Sequence, residues 1–417
     1  MRIVQAVGAT HPGSREHNED ALLRLSKLPL FAVADGMGGP GAGDVAANIA
    51  LTVLKQYAPE LKKHNRSVAR ERTTSNRLAL GEALDEMFNK ASRAIQNEAN
   101  ELGMPGMGST LLFATVVENF AYIAHVGDSR GYLVREGGIT RLTEDHSLAE
   151  FRYRRGKMSH EEYLESPDRQ VLYQALGAGM EVEVDLGEVR LTGGDILLLC
   201  TDGLVRALTE DDIVEKIDPA DLSRSVRRLI RSANAAGAPD NITCILFSLE
   251  SEEGDEPIQA VTDVMKRVFL FKSLSEPERL VIAPYLEEVT FEKGDIIVKE
   301  GEPADAFYVV IAGKVDVSRG PTFLTKIRTG GHFGELALAR PVRRSATVKA
   351  LQRTSLLSLS RDRFHELVQH KPELGARLAL SLLDTVGNRL RDLSERLGDV
   401  ERASRGDFQG KKPRLKR

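Results

Sequence analysis

Asp35-Gly36-Met37-Gly38-Gly39 directly follows the apolar run Leu30-Phe31-Ala32-Val33-Ala34. A short apolar run closed by a turn signal reads as a buried strand. Asp35 then sits on the C-terminal lip of that strand, with its carboxylate facing out. Gly36, Gly38 and Gly39 carry no Cβ, so backbone and ligand can approach closely. A carboxylate beside an accessible carbonyl suits a hard, oxygen-loving divalent cation. Alone, Asp-Gly is only a turn signal. Its weight comes from what else the chain offers.

The arrangement recurs. Asp202-Gly203 closes the run Ile196 to Thr201, and Asp240-Asn241 stands just before Ile242 to Phe247. Glu19-Asp20 follows Arg15 and Asn18 and precedes the mixed run Ala21 to Leu25. Gly127-Asp128-Ser129-Arg130 lies between Ala121–Val126 and Gly131–Val134, a pattern that reads as a hairpin. A layered sheet fold can bring these strand-end acids together, and unpaired carboxylates so gathered repel unless cations sit among them. His11, His17 and His146 are scattered, and Cys200 and Cys244 lie inside apolar runs, so no zinc pattern is present. An all-oxygen site favours Mg²⁺ or Mn²⁺. Two such ions about 4 Å apart can activate a water and clamp a phosphoryl group together. Blander readings exist for single residues. Asp240-Asn241 could be a turn, Asp128 and Arg130 a hairpin ion pair, and His146 a satisfied structural histidine.

Eight stretches resemble, in order, the metal-dependent protein Ser/Thr phosphatase family of type 2C (the PPM family), in its bacterial form. They are Arg15-Glu-His-Asn-Glu-Asp20, Asp35-Gly-Met-Gly-Gly39, Met107-Gly-Ser-Thr110, Gly127-Asp-Ser-Arg130, Thr143-Glu-Asp-His-Ser147, Ala175-Leu-Gly177, Thr201-Asp-Gly203 and Asp240-Asn-Ile-Thr243. The resemblance implies an α-β-β-α sandwich that hydrolyses phosphoSer and phosphoThr with water activated by two metals. It implies that Asp35 bridges two ions of Mn²⁺ or Mg²⁺, and that Asp202 and Asp240 complete the first. Glu19 and the Gly36 carbonyl would orient the second, and Asp20 would hold waters. Asp128 with Asp202 resembles a weaker third-metal site. Arg15 matches the phosphate clamp, whose planar fork suits phosphate oxygens. Eukaryotic members often carry a leaving-group histidine where this chain has Met37, so here water is expected to protonate the alkoxide. The polar segment 147–174, with Arg152, Arg154, Arg155 and Lys157, is either a solvated face or the family's flap beside the site.

The chain has 417 residues, 41% of them hydrophobic, with a formal net charge of −4. That length expects two or three domains, and the charge gives no general pull toward nucleic acid. Two cysteines in apolar runs indicate a reducing compartment. No signal peptide or membrane-length apolar run is visible. A cytoplasmic protein without a membrane partner is expected. The expected division is a phosphatase domain at 1–249, an acidic linker at 250–257, a second domain at 258–400 and a basic tail at 401–417. The polar stretch His64–Arg77 reads as a loop between two helical patterns.

In the second domain, Ile258–Phe269 reads as a helix. Short strand-like runs follow at Val289–Phe291, Asp295–Val298, Ala306–Ile311, Lys314–Val317 and Ser345–Val348, with glycines between them. This spacing suggests a small β-barrel or jelly roll. Helical periodicity returns over Arg361–Leu397, where Leu374, Leu378, Leu382 and Val386 form a stripe. The stripe either packs on the barrel or forms a dimer seam. Phe333-Gly-Glu-Leu-Ala-Leu338 followed by Arg343-Arg-Ser-Ala-Thr-Val348 closely resembles the phosphate cassette of cyclic nucleotide-binding domains, over about 265–395. The resemblance implies that Glu335 binds the ribose 2′-hydroxyl and Arg344 the cyclic phosphate. Gly334, Leu336 and Ala337 would supply backbone contacts and Ser345 a hydroxyl. Cyclic AMP comes before cyclic GMP on family frequency. An alternative is a Glu335–Arg344 salt bridge in a barrel without ligand.

The whole is therefore expected to be an α+β protein: a sandwich phosphatase followed by a small β-roll with flanking helices, with the nucleotide acting as regulator. The alternative is an inactive phosphatase-like scaffold or nucleotide sensor that binds partners. The intact aspartates speak against it. Sequence-specific DNA binding is not expected, because no helix-turn-helix follows the barrel.

Overall fold

The computed structural model describes residues 1–25, 28–39, 41–179, 181–250, 265, 268–272, 274, 278–279, 282–383 and 387. The chain forms two compact units, Met1–Pro257 and Ile258–Arg417. Residues 251–257 of the expected linker, most of the expected helix at 258–269, Val386 and the tail lie outside the described residues. Glu250, expected in the linker, instead ends a strand and pairs with Arg2.

The first unit runs β1 (Arg2–His11), β2 (Asp20–Leu25), β3 (Leu30–Met37), α1 (Gly43–Arg70), α2 (Thr74–Leu102), β4 (Gly108–Ser109), β5 (Leu111–Val117), β6 (Phe120–Val126), β7 (Arg130–Arg135), β8 (Gly138–Arg141), α3 (Leu148–Arg154), α4 (His160–Glu165), β9 (Asp185–Arg190), β10 (Ile196–Cys200), α5 (Asp202–Ala207), α6 (Glu210–Lys216), α7 (Leu222–Ala235) and β11 (Ile242–Glu250). One sheet has the order β1-β11-β10-β7-β8, and the other β2-β3-β5-β6-β9 with β4 beside β3. All of their pairings are antiparallel.

Burial on both faces explains why the strands are continuously apolar rather than alternating. Along β3, Leu30, Ala32 and Ala34 pack with Leu54 and Leu61 of α1 and Leu84 and Phe88 of α2. Along β11, Ile242, Cys244 and Leu246 pack with Leu222, Val226 and Leu229 of α7. The intervening residues face the opposite sheet, where Phe31 stacks on Phe247 with ring centroids 4.0 Å apart. The α-β-β-α sandwich follows from these faces.

Two local expectations are corrected. The 121–134 segment is not a hairpin: β6 pairs with β5 and β9, whereas β7 pairs with β10 and β8. Gly127–Arg130 thus carries the chain from one sheet to the other. A turn signal marks a reversal without saying whether the flanking strands pair. His64–Arg77 is mostly helical, with a break only at Glu71–Thr73. Asn65 is buried and donates to Thr115 Oγ1 at 2.9 Å, which anchors the last turns of α1. Thr73 caps α2 through the Asn76 N–H, and Gly103 closes that helix at φ +66°.

Among the described residues, the second unit holds two four-stranded antiparallel sheets and one short pair. The strands are β12 (Glu287–Phe291), β13 (Ile296–Val298), β14 (Pro303–Ala304), β15 (Ala306–Ala312), β16 (Lys314–Arg319), β17 (Thr322–Arg328), β18 (His332–Phe333), β19 (Val342–Arg343), β20 (Thr347–Ala350) and β21 (Thr354–Ser360). Their orders are β12-β21-β15-β18, β13-β20-β16-β17 and β14-β19. Val298, Val310, Val315, Phe333, Val348 and Leu356 form a core within the roll. Leu374, Leu378 and Leu382 are buried with Phe307 and Leu357 in a second cluster, so these three leucines pack on the roll. Among the described residues no helix is long and apolar enough to cross a membrane.

Removing the aromatic stack between the sheets should be costly. Phe247→Ala is expected to destabilise the full chain by about 3–5 kcal/mol in urea unfolding. A loss below about 1 kcal/mol would contradict the inter-sheet packing described.

Candidate functional site

The strand-end acids meet at one edge of the sandwich. Arg15, Glu19, Asp35, Gly36, Met37, Asp128, Arg206, Asp202 and Asp240 line a cavity of about 820 Å³. Asp35 and Asp20 are cross-strand partners on β3 and β2. Asp202 opens α5, Asp240 precedes β11, and Asp128 lies in the crossing between β6 and β7.

Backbone contacts hold Asp35 rigidly. Its N–H donates to Thr110 Oγ1 at 3.0 Å, and its carbonyl accepts from the Thr110 N–H at 2.8 Å and Ser109 Oγ at 3.1 Å. The Gly36 N–H donates to the Glu19 carbonyl at 3.2 Å. Both Asp-Gly glycines are required by close backbone approach. A Cβ on Gly36 would lie 1.9 Å from the Gly43 carbonyl oxygen, and one on Gly203 would lie 2.0 Å from that of Asn241.

The carboxylates disfavour one another's charge. Burial holds Asp35 well above the usual carboxylate range, and Asp20, Asp202, Asp128 and Asp240 add to the rise. Burial pushes Asp20 up to about 7, against the hydroxyls of Thr243 and Thr201, with Asp202 and Asp240 raising it further. Asp128 and Asp202 are also raised, in each case first by burial, and Arg206 opposes the rise at Asp202. Asp20 Oδ2 accepts from Thr201 Oγ1 at 2.8 Å, yet its buried Oδ1 has no hydrogen-bond partner, and neither does Asp202 Oδ1. Buried carboxylate oxygens without donors, gathered with like charges, fit divalent cations with oxygen ligands.

Arg15 lines the cavity, and its fork lies on Asp240: Nη2 is 2.9 Å from Oδ2, while Nε donates to the Pro239 carbonyl at 3.0 Å. Arg130 is committed to Asp145, with Nη2 to Oδ2 at 2.6 Å, which displaces the hairpin reading of Arg130 with Asp128. His146 Nδ1 accepts from the Gly127 N–H at 3.2 Å and faces the Gln174 amide at 3.1 Å, and so braces the Asp128 loop. Ligand atoms of His125, His146 and Asp185 lie within 4.8 Å of one another. With Nδ1 accepting, however, the neutral ring carries its proton on Nε2, so that nitrogen, 3.8 Å from Asp185, has no lone pair to offer a metal. The 147–174 segment forms α3, α4 and the stretch Gln170–Gln174 that lines the cavity. Arg152 pairs there with Asp168, and Arg154 with Glu144 and Glu150.

Sequence reasoning missed two participants. Asn241 accepts the Glu19 N–H through Oδ1 at 2.8 Å and donates through Nδ2 to the Pro12 and His17 carbonyls, both at 2.9 Å, so it ties the β1–β2 connection to β11. Arg206 reaches Asp202 and Asp240 from α5. Its spacing of four residues from Asp202 on a helix was the available signal.

In the second unit, Gly334 has φ +87°, and a Cβ there would lie 2.7 Å from Arg344 Nη1. Arg344 and Glu335 are each 7% exposed. Arg344 donates to the Ala306 carbonyl at 2.9 Å and to Asp305 Oδ1 at 3.2 Å. Glu335 Oε1 meets His332 Nδ1 at 2.5 Å. Leu336 and Ser345 are exposed. The Ala337 N–H donates to the Gly334 carbonyl at 3.0 Å, and its carbonyl accepts from Arg361 Nε at 2.6 Å.

Residues 7–247 match the family model of Protein phosphatase 2C, and residues 288–371 that of the Cyclic nucleotide-binding domain. The serine/threonine phosphatase stp of Listeria innocua is 36% identical over 241 residues, 56% of this chain and 90% of that protein. The solved Mycobacterium tuberculosis serine/threonine phosphatase PstP/Ppp has a TM-score of 0.52 and 30% identity, covering 60% of this chain and 100% of that one. The S. agalactiae serine/threonine phosphatase structure gives 0.52 and 30%, covering 59% and 99%.

Gly36→Ala is expected to lower the melting temperature of the full chain more than Gly39→Ala. A Cβ at Gly39 meets nothing within 4 Å and bears only the cost of its φ of +93°. Equal shifts would contradict the Gly36–Gly43 contact.

Proposed function

The chain belongs to the protein phosphatase 2C family, and from that premise we propose that its carboxylate cavity hydrolyses phosphoSer and phosphoThr in proteins, under the control of a cyclic nucleotide held by the second unit. The chain is a serine/threonine protein phosphatase of the 2C type, and it carries a domain of the cyclic nucleotide-binding type. The assignment of site residues rests chiefly on one observation: the convergence of Asp35, Asp202 and Asp240 around buried carboxylate oxygens that lack donors.

Asp35, Asp202 and Asp240 with Glu19 and the Gly36 carbonyl would hold two divalent ions, Mn²⁺ or Mg²⁺, and Asp128 with Asp202 a weaker third. Bound there, the ions supply Lewis-acid charge for the phosphoryl oxygens and lower the pKa of water. The protein's share is positioning. Asp20, held by Thr201, would hold metal-bound water through its partnerless oxygen. Arg15 is exposed at the cavity, so its fork can turn from Asp240 to a substrate phosphate. Met37 lines the wall without a proton to give, so the leaving alkoxide takes its proton from water. Both cysteines are free and buried, which is compatible with a cytoplasmic setting.

In the second unit, Glu335 would accept the ribose 2′-hydroxyl and Arg344 would face the cyclic phosphate, with Gly334, Leu336, Ala337 and Ser345 around them. The Ala337 N–H already donates to the Gly334 carbonyl and its carbonyl accepts from Arg361, so on this reading its backbone would add less than those of Gly334 and Leu336. Cyclic AMP is the first ligand to test, then cyclic GMP. Regulation requires that the nucleotide favour one state of the chain over another.

Asp35→Asn should lower Mn²⁺-dependent hydrolysis of p-nitrophenyl phosphate by about 10³-fold or more. Retained activity would refute the metal assignment. Arg344→Gln should weaken cyclic AMP binding in calorimetry by at least about tenfold. Phosphopeptide turnover should change when the nucleotide saturates the wild-type chain. Unchanged rates despite measured binding would refute the regulatory reading.

A further inference from the structure

Arg206 has no part in the chemistry above, yet it lies among the proposed metal ligands. It stands four residues after Asp202 on α5, so one helical turn stacks it over that acid. Its Nη1 is 3.0 Å from Asp202 Oδ2 and 3.4 Å from Asp240 Oδ2. Its side chain is 25% exposed and lines the same cavity. Arg15 differs: it is 55% exposed, contacts Asp240 alone among these acids, and can swing away at little cost. An exposed i,i+4 pair contributes little to stability. Arg206 instead touches two acids at once, inside a cluster where each carboxylate opposes the charge of the next.

We propose that Arg206 is a built-in counter-cation. It neutralises Asp202 and Asp240 in the metal-free chain and opposes a divalent ion at those same carboxylates, so that metal affinity is set below what the acids alone would give. This rests on the reading of Asp202 and Asp240 as metal ligands. Two effects of removing the charge act in the same direction. The metal-free cluster loses a cation that bridges two of its acids, and a bound ion no longer faces a fixed positive charge. One nitrogen makes both contacts, so charge at that point matters more than the planar fork, and a lysine should substitute in part.

The test is calorimetric titration of the metal-stripped full chain with Mn²⁺ at fixed ionic strength. Arg206→Gln is expected to bind on the order of three- to tenfold tighter than wild type, and Arg206→Lys close to wild type. In EDTA, Arg206→Gln should melt below wild type, and saturating Mn²⁺ should close that gap. Arg206→Ala, the second charge-removing variant, must shift the affinity in the same direction. Equal or weaker Mn²⁺ binding by these variants, or the same shift in Arg206→Lys, overturns the counter-cation role. Failure of wild type to bind Mn²⁺, or binding unaltered by Asp202→Asn with Asp240→Asn, overturns the metal assignment beneath it.

Discussion

Repulsion among like charges is the constraint around which the first unit is arranged. Asp20, Asp35, Asp128, Asp202 and Asp240 come from both sheets and meet at one edge. Burial and mutual proximity raise Asp20, Asp35, Asp128 and Asp202 together. A fold optimised for stability alone would not gather them, because each carboxylate held there charged is uncompensated without a cation. The cluster persists because the surrounding structure over-determines it. The two sheets are joined by apolar faces, and the backbone around Asp35 is bonded to Thr110 and Ser109.

The glycines convert this constraint into geometry. Gly36 against Gly43 lets α1 begin directly beneath the strand that carries Asp35, and Gly203 against Asn241 lets α5 begin beneath Asp240. Asn241 then latches the Glu19 backbone to the opposite sheet. Arg15 and Arg206 supply the positive charge that the protein itself contributes. On the proposed reading the first turns toward a phosphate and the second remains with its acids.

Much of this was legible in the chain, for identifiable reasons. An apolar strand closed by Asp-Gly marks both a buried edge and a close approach, so Asp35 and Asp202 were visible from local pattern, and Asp240 from its place just before an apolar run. Arg206 was not, because an arginine four residues into a short helix looks like any exposed i,i+4 pair until Asp240 arrives from 34 residues away. The hairpin expected at 121–134 failed because strand pairing is a tertiary property. In the second unit, β17 escaped notice because it is almost wholly exposed and lacks alternation, and β21 because serines separate its leucines. The pairing of Glu335 with His332 was likewise hidden, since short-range spacing cannot tell a ribose-binding acid from one already hydrogen-bonded.

On the reading proposed above, the cavity bounded by Asp35, Asp202 and Asp240 is a centre for two divalent ions. Anomalous diffraction from crystals grown with Mn²⁺ tests it most directly. At least two manganese peaks are expected inside that cavity, with Asp35 ligating both ions. Peaks absent from the cavity, or found instead among His125, His146 and Asp185, would contradict it.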